Sequence, residues 1–353
     1  MRYQDMHMKA QSSIEFLTTY GFMFIIIGVV ISILVFVAVS PIIYTSSQCN
    51  GFSGPYCAFV QLYSNASQSF SLLTLVLTNS ESVPINITNI TATIRGTTEV
   101  GTCTPYYMLP GQSTVCIIPF KMTPALGTYE QGFYTLNAKF CNTGLKGVYA
   151  SNCTFVGTSY SGAFTASAQP SLTIAVTMLA LQGNRTSWLA PYPSAGPFLP
   201  NFQIIQSGYL ATNITSHILE YAFGTPGYQG NIYLGQRVVP FPQSVSSLNN
   251  NNVQCSYPYN SVYSVFATTL YFPTSGTLNM TIVTDDAMQV YYKQATTSTW
   301  ESAFNAAQSW KPQPASAYTN NDVIVSSGLY NIEILWSNVC GPGVQTLKIQ
   351  NIP

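Results

Sequence analysis

The hydrophobic and polar positions divide the chain into one long apolar segment and a body of short alternating runs. From Phe16 to Tyr44 there is no charged side chain, and the densest apolar stretch, Phe22–Val39, is 18 residues long. That length is close to the ~20 residues that a helix needs to cross a bilayer. Pro41 is the first residue that would interrupt a helix. The pattern therefore predicts a long hydrophobic α-helix over residues 11–44 that serves as a transmembrane helix.

After Pro41 the hydrophobic period becomes that of β-strands. Clear examples are Phe70–Leu77, Ile85–Ile94, Val115–Phe120 and Gly132–Phe140. Turn-forming residues separate these runs at the spacing of a β-sandwich. The pattern predicts all-β domains behind the helix.

The division of this body follows from composition. Residues 45–168 are predicted to form the first β-sandwich, and residues 184–353 show strand signals of the same kind. Between them, residues 169–183 are predicted to be a linker, with one candidate strand at Ser171–Leu181, because Thr, Ala, Ser, Gly and Pro dominate this region.

Charge is scarce throughout the chain. Charged residues make up 6% of the sequence, against ~25% in typical soluble proteins, and after Glu15 the next is Glu81. Uncharged polar side chains must therefore form most of the solvent-facing surface of the protein, and these are Ser, Thr, Asn, Gln and Tyr. Such a surface suits a wall, a sheath or a glycosylated exterior. The net charge is zero, so the chain has no electrostatic footprint for nucleic acid.

Seven Asn-x-Ser/Thr sequons agree with export as a glycoprotein; they begin at Asn65, Asn86, Asn89, Asn152, Asn184, Asn213 and Asn279.

The cysteines all follow the apolar segment and are even in number. They are Cys49, Cys57, Cys103, Cys116, Cys141, Cys153, Cys255 and Cys340. Zinc is the alternative, but the chain has no CxxC pair, so the pattern favours disulfides in an oxidising compartment. Sequential pairing, with three short loops and one long loop, is one of the arrangements that the sequence allows.

A distinctive stretch, Lys9-Ala10-Gln11-Ser12-Ser13-Ile14-Glu15, precedes the apolar segment. This stretch resembles the class III leader of archaeal type IV prepilins. The resemblance implies a leader at residues 1–10 that prepilin peptidase removes between Ala10 and Gln11. Glu15 then becomes the fifth residue of the mature chain, and in a filament the free amine of a neighbouring subunit neutralises its carboxylate. A plain membrane anchor would leave this carboxylate without a role, since it would be costly in lipid.

The C-terminal region shows a distinctive order of strand signals. A strand closes on a Ser-Gly turn, the next strand runs into Asp285-Asp286, and a Gly-x-Tyr strand with a Gly-rich hairpin follows. This order resembles the PA14 family. In the carbohydrate-binding branch of that family the Asp-Asp pair binds calcium, and the calcium binds sugar hydroxyls. The resemblance implies calcium as a cofactor at Asp285 and Asp286, with Asn338 as a further oxygen ligand. The alternative is that the pair caps a turn and binds nothing.

Three tryptophans are candidates for stacking on a sugar, namely Trp300, Trp310 and Trp336. Packing within the protein is the alternative for each of them. Enzymatic activity is not expected, because the mature chain would retain a single histidine, His217, and no facing pair of carboxylates is evident.

These features together predict an extracellular, type IV pilus-like filament subunit with an outward adhesive domain. The expected partners are further copies of the chain in a filament, prepilin peptidase, the membrane through the N-terminal helix, and cell-surface glycans. The alternatives are a singly anchored surface adhesin or lectin, and a minor or tip pilin that does not itself polymerise. The predicted location is the cell surface, with membrane anchoring before assembly.

Overall fold

The protein is described from a computed structural model. It describes residues 47–51, 54–141, 155–183, 203–214, 217–223, 230–234, 237–241, 261–311, 313–338 and 344–352, together with Tyr20, Gly21, Met23, Ile26 and Ile27. Residues 47–353 form one compact unit and residues 1–46 another.

The first half of the body is a closed, two-layered β-sandwich. Its strands are β1 (Gln48–Gly51), β2 (Tyr56–Asn65), β3 (Phe70–Thr78), β4 (Ile85–Ile94), β5 (Thr97–Thr104), β6 (Tyr107–Met108), β7 (Ser113–Phe120), β8 (Tyr129–Cys141) and β9 (Phe155–Gln169). They pair in the order β1-β9-β2-β3-β7-β5-β4-β6, and β8 bridges β4 and β9. Leu73, Leu75, Cys116, Ile118 and Leu136 are among the buried residues of its core.

The second half is a sandwich of two further sheets. An eight-stranded sheet has the order β14-β13-β11-β10-β15-β20-β17-β18, and a four-stranded sheet has the order β12-β21-β16-β19. The strands are β10 (Thr173–Gly183), β11 (Gln203–Asn213), β12 (Ile218–Phe223), β13 (Gly230–Leu234), β14 (Arg237–Phe241), β15 (Ser261–Phe272), β16 (Gly276–Asp285), β17 (Ala287–Gln294), β18 (Glu301–Ser302), β19 (Ser316–Val325), β20 (Gly328–Asn338) and β21 (Val344–Gln350). A short helix, Ala306–Ser309, follows β18.

A third apolar core, the junction core, joins the two sandwiches. It combines Phe70, Leu72 and Val76 of β3 and Val115 and Ile117 of β7 with Ala175 and Tyr209 of the eight-stranded sheet. Strand β3 is therefore covered on both faces, because Leu73, Leu75 and Leu77 point into the first sandwich. A strand buried on both faces has a nearly continuous apolar sequence, which explains the run Phe70–Leu77.

The predicted linker contains a central strand. β10 lies between β11 and β15 in the eight-stranded sheet. Its small and polar side chains suit this place: the Thr177 hydroxyl donates to the Ala267 carbonyl at 3.1 Å, and Ala175 packs in the junction core. The linker composition therefore reflects close packing of β10 against its neighbours.

The predicted fold class, a long N-terminal hydrophobic helix followed by β domains, is wrong. The described part of the chain is almost entirely β, and it contains no helix long and apolar enough to cross a membrane. The prediction of a transmembrane helix over residues 11–44 is therefore wrong for the described part of the chain. Of residues 11–44, Tyr20, Gly21, Met23, Ile26 and Ile27 are described, and these are helical; the rest lie outside the described residues. The physical reason for the error is that an uncharged run shows a preference for apolar surroundings, and this preference does not by itself establish a helix that spans a membrane.

In the part of the chain that the structure describes, two disulfides cross-link the first sandwich. Cys49 of β1 is joined to Cys57 of β2, and Cys103 of β5 is joined to its cross-strand neighbour Cys116 of β7. Both belong to the sequential pairing. They indicate that the body matures in an oxidising environment outside the cytoplasm. The Cys141 side chain and Cys153, Cys255 and Cys340 lie outside the described residues.

Candidate functional site

The Asp285-Asp286 pair lies where the chain crosses between the two sheets of the second sandwich. Asp285 ends β16 of the four-stranded sheet, and β17 of the eight-stranded sheet begins at Ala287. The peptide bond between the two aspartates is cis. Asp285 is paired with Val344 at the start of β21, and Ala287 with Ser337 near the end of β20. Four strands therefore meet at the pair, at the end of β20 and the start of β21.

Asp286 is buried and held in place by Gln313. Its carboxylate Oδ1 accepts a hydrogen bond from the Gln313 backbone N–H at 3.2 Å, and its carbonyl accepts from Gln313 Nε2 at 3.0 Å. The Oε1 atom of Gln313 in turn accepts from the Tyr318 hydroxyl at 2.6 Å. Asp286 is 9% exposed, so this network fixes the direction of a carboxylate that has little freedom to turn.

Asp285 is supported from the core by Trp336. The indole Nε1–H of Trp336 donates to the Asp285 carbonyl at 3.2 Å, while the ring is 0% exposed in the second-sandwich core. A ring buried in this way offers no face to a sugar. The structure therefore places this candidate stacking residue behind the aspartate pair, where it holds the backbone.

The electrostatics of the pair favour a cation. Partial burial, followed by the charge of Asp286, raises the pKa of the Asp285 carboxyl above its ordinary value. Two carboxylates close together in a half-buried place repel each other, and a bound divalent cation would remove this repulsion. Carboxylate and carbonyl oxygens are also the ligands that Ca²⁺ prefers.

The donor set is incomplete among the described residues. No group of three or more His, Cys, Asp and Glu side chains comes together in that part of the chain. Ca²⁺ takes 6–8 oxygens, many of them carbonyls or waters, so the pair fits as the anionic half of a site whose other ligands are neutral. The backbone of Asn338 pairs with Val262, and its side chain lies outside the described residues.

The other two tryptophans occupy different places. Trp310 follows the short helix, with its backbone N–H bonded to the Ala306 carbonyl at 2.9 Å and its ring edge-on to Tyr263. Gln313 also reaches this helix end, because its Nε2 donates to the Ser309 carbonyl at 3.5 Å. Gln313 therefore connects the end of this helix, one residue before Trp310, to Asp286.

Trp300 lies at the far end of β17. Its ring centroid is 5.0 Å from Nζ of Lys293, and Lys293 is six positions along the strand from Ala287, or about 20 Å. The structure therefore does not bring Trp300 together with Asp285 and Asp286.

A second polar cluster, which sequence reasoning missed, lies at the junction of the sandwiches. Glu333 of β20 is 4% exposed, and burial raises the pKa of its carboxyl well above the ordinary value, although the charge of Lys293 opposes this shift. Lys293 Nζ also lies 5.9 Å from the ring centroid of Tyr106, in the first sandwich. The only signal in the sequence is one acidic residue inside the apolar run Ile332-Glu333-Ile334.

Comparison with known proteins gives little. No protein-family model and no curated protein matches the chain. Among solved structures, an anti-sigma factor domain-containing protein from Clostridium clariflavum aligns with a TM-score of 0.27 and 12% identity over 84% of this chain and 87% of that one. A second anti-sigma factor domain-containing protein aligns with a TM-score of 0.26 and 7% identity over 79% of each chain. Similarities this weak carry no argument about fold or function.

Proposed function

We propose that this chain is an extracellular surface protein whose second sandwich binds Ca²⁺ at Asp285 and Asp286 and, through the ion, the hydroxyl groups of a carbohydrate. The observation that carries the proposal is the arrangement of this pair. One carboxylate is buried and oriented by Gln313, and the other has a raised pKa because of burial and its neighbour's charge.

The residues of this chain have distinct roles in the proposed site. The Asp285 and Asp286 carboxylates hold the cation, Gln313 orients Asp286, and Trp336 fixes the Asp285 carbonyl. When bound, Ca²⁺ supplies open coordination positions for vicinal sugar hydroxyls. Asn338 stays a predicted further ligand, since its backbone ends β20 beside the pair.

The surface location is supported by the two disulfides and by a composition with 6% charged residues. Assembly of copies into a filament depends on Gln11 and Glu15, which lie outside the described residues. The filament role of the chain, as a major or a tip subunit, stays a prediction.

Thermal unfolding of the full chain with and without Ca²⁺ tests the cation site. Ca²⁺ is expected to stabilise the native chain by about 2.7 kcal/mol at 100 times its dissociation constant. The Asp286→Asn variant keeps an oxygen that accepts from Gln313 but loses the charge, and it is expected to lose the calcium-dependent shift. Asp322→Asn, at an exposed position of β19, is the matched control and should respond to Ca²⁺ like the native chain.

The outcome that contradicts the proposal is a native chain whose melting temperature does not change at millimolar Ca²⁺. An equal shift in the native chain and in Asp286→Asn would place the ion elsewhere. Binding to a glycan array with Ca²⁺ and with a chelator then tests the carbohydrate step separately. Chelator-insensitive glycan binding would contradict the role of the ion.

A further inference from the structure

Asn65 lies at the tip of the β2–β3 hairpin and begins the sequon Asn65-Ala66-Ser67. It is the last residue of β2, and β3 begins at Phe70. The turn residues 66–69 are exposed. The position therefore projects from the body at the edge of the junction between the two sandwiches.

The hydrogen bonds of the Asn65 amide prepare its nitrogen for attachment. Its Oδ1 accepts from the Ser67 hydroxyl at 2.7 Å, from the Ser67 N–H at 3.1 Å and from the Gln68 N–H at 3.2 Å. Three donors on the oxygen draw electron density from the amide and make Nδ2–H more acidic. Nδ2 itself donates to Oε1 of Gln68 at 3.1 Å, an exposed side chain that moves aside at little cost.

The other described sequons lack this turn. Asn86 lies within β4 between β6 and β8, Asn89 of β4 pairs with Asn137 of β8, and Asn279 of β16 pairs with Gln350 of β21. Asn213 ends β11, where its Oδ1 accepts from the Thr173 hydroxyl at 2.5 Å. Asn89 and Asn213 are exposed and Asn65 is half-buried; what distinguishes Asn65 among the described sequons is the turn in which its Oδ1 accepts from the hydroxyl and the N–H of Ser67.

A small cavity of about 30 Å³ lies beside Asn65. Its walls combine Tyr63, Gln68 and Phe70 of the hairpin with Tyr271 and Pro273 of the second sandwich. The ring centroid of Phe70 is 6.0 Å from that of Tyr63 and 5.1 Å from that of Tyr271, so aromatic rings continue across the junction. Tyr63 and Tyr271 are half-buried, so part of each ring is left for the C–H faces of a sugar.

We propose that Asn65 carries an N-linked oligosaccharide and that its first sugar covers this cavity. In the transfer, a bond forms between Asn65 Nδ2 and C1 of the sugar while the bond from C1 to the phosphate oxygen of a lipid-linked oligosaccharide donor breaks. The lipid phosphate leaves, and a base of the transferase takes the proton from Nδ2. No oxidant or reductant is required.

Mass spectrometry of peptic peptides from the protein isolated from its own cells tests the attachment. The peptide with Asn65 is expected to carry an oligosaccharide mass. Ser67→Ala should remove this mass, because it destroys the sequon, whereas Ser67→Thr should retain it. Peptides with unmodified Asn65 in all molecules, or a mass that persists in Ser67→Ala, would overturn the proposal.

Hydrogen exchange of the segment from Phe272 to Gly276 tests the position of the first sugar. Exchange there is expected to be slower in the glycosylated protein than in Ser67→Ala, while exchange at the distant β4–β5 turn is unchanged. Equal exchange at Phe272–Gly276 would overturn the covering of the cavity even when the glycan is present. Failure of the calcium experiment has no bearing on either result.

Discussion

Glu333→Gln is expected to change how the stability of the protein depends on pH. Glu333 lies in the centre of β20, paired with Ala267 of β15 and Tyr291 of β17, and only 4% of it is exposed. The substitution keeps the size of the side chain and removes its ability to ionise. The comparison therefore isolates the cost of a charge in the junction between the sandwiches.

The sign follows from the raised pKa. Burial raises the pKa of the Glu333 carboxyl well above its ordinary value of 4.5, so the folded protein holds a proton that the unfolded chain has already released. The favourable contribution of Glu333 is complete below pH 4.5, and it is lost as the pH rises through the folded pKa. Linkage limits this loss to about 1.4 kcal/mol per pH unit for one group. Glu333→Gln should not show it, so the variant becomes progressively more stable than the native chain above pH 4.5.

Other ionisable groups face Glu333 and restrict the useful range. Burial lowers the pKa of Lys293, while the charge of Glu333 opposes the shift. The phenols of Tyr106 and Tyr263 have pKa values raised above 10, by burial first and then by the charge of Glu333. These phenols stay neutral between pH 4.5 and pH 7.5, so the comparison belongs in that interval. The double variant with Lys293→Met controls for the lysine.

Urea unfolding of the full chain at several pH values measures the effect. The difference in the free energy of unfolding between Glu333→Gln and the native chain should grow with pH. Glu220→Gln, on an exposed position of β12, is the matched control and should show no such growth. Parallel curves for Glu333→Gln and the native chain from pH 4.5 to pH 7.5 would refute the reasoning.

Two further predictions concern the first sandwich. Leu75→Ala removes a fully buried side chain from its core and should lower the free energy of unfolding by about 2–5 kcal/mol, whereas Leu126→Ala, at an exposed position, should change it by less than about 0.5 kcal/mol. Replacing Cys103 and Cys116 together by serine opens a loop with a sequence separation of 13 and should cost about 3 kcal/mol. Urea unfolding checks both, and an unchanged midpoint in either buried variant would contradict the packing described for it.

Some strands of the body were predictable because they follow a local pattern. The interval Ile85–Ile94, chosen from alternation alone, is the interval of β4. The continuous run at Phe70–Leu77 also predicted β3, but the reason for its continuity, a second sandwich packed on its outer face, involves residues about 100 positions later. Periodicity shows that a face is buried and does not show what covers it.

The candidate site was predictable only in part, for the same reason. Two adjacent acids are visible in the sequence, so Asp285 and Asp286 could be chosen directly. Gln313 could not, because it reaches Asp286 from 27 residues away and glutamine carries no distinctive signal. Trp336 could be chosen as an aromatic residue, but only the fold shows that its ring is buried and that its indole N–H supports Asp285.

Strand β20 connects the two polar regions of the second sandwich. Trp336 points from this strand into the second-sandwich core and holds the Asp285 carbonyl, while Glu333, three positions earlier, lies on the opposite face because side chains alternate along a strand. The same strand therefore supports the candidate cation site on one side and carries the buried carboxyl of the junction on the other. A protein with so few charges keeps two of its acidic groups, Glu333 and Asp286, buried around this strand. Burial of an acidic group is costly even when hydrogen bonds or a nearby charge offset part of the cost, which is why we place the functional chemistry here and not on the sparsely charged outer faces.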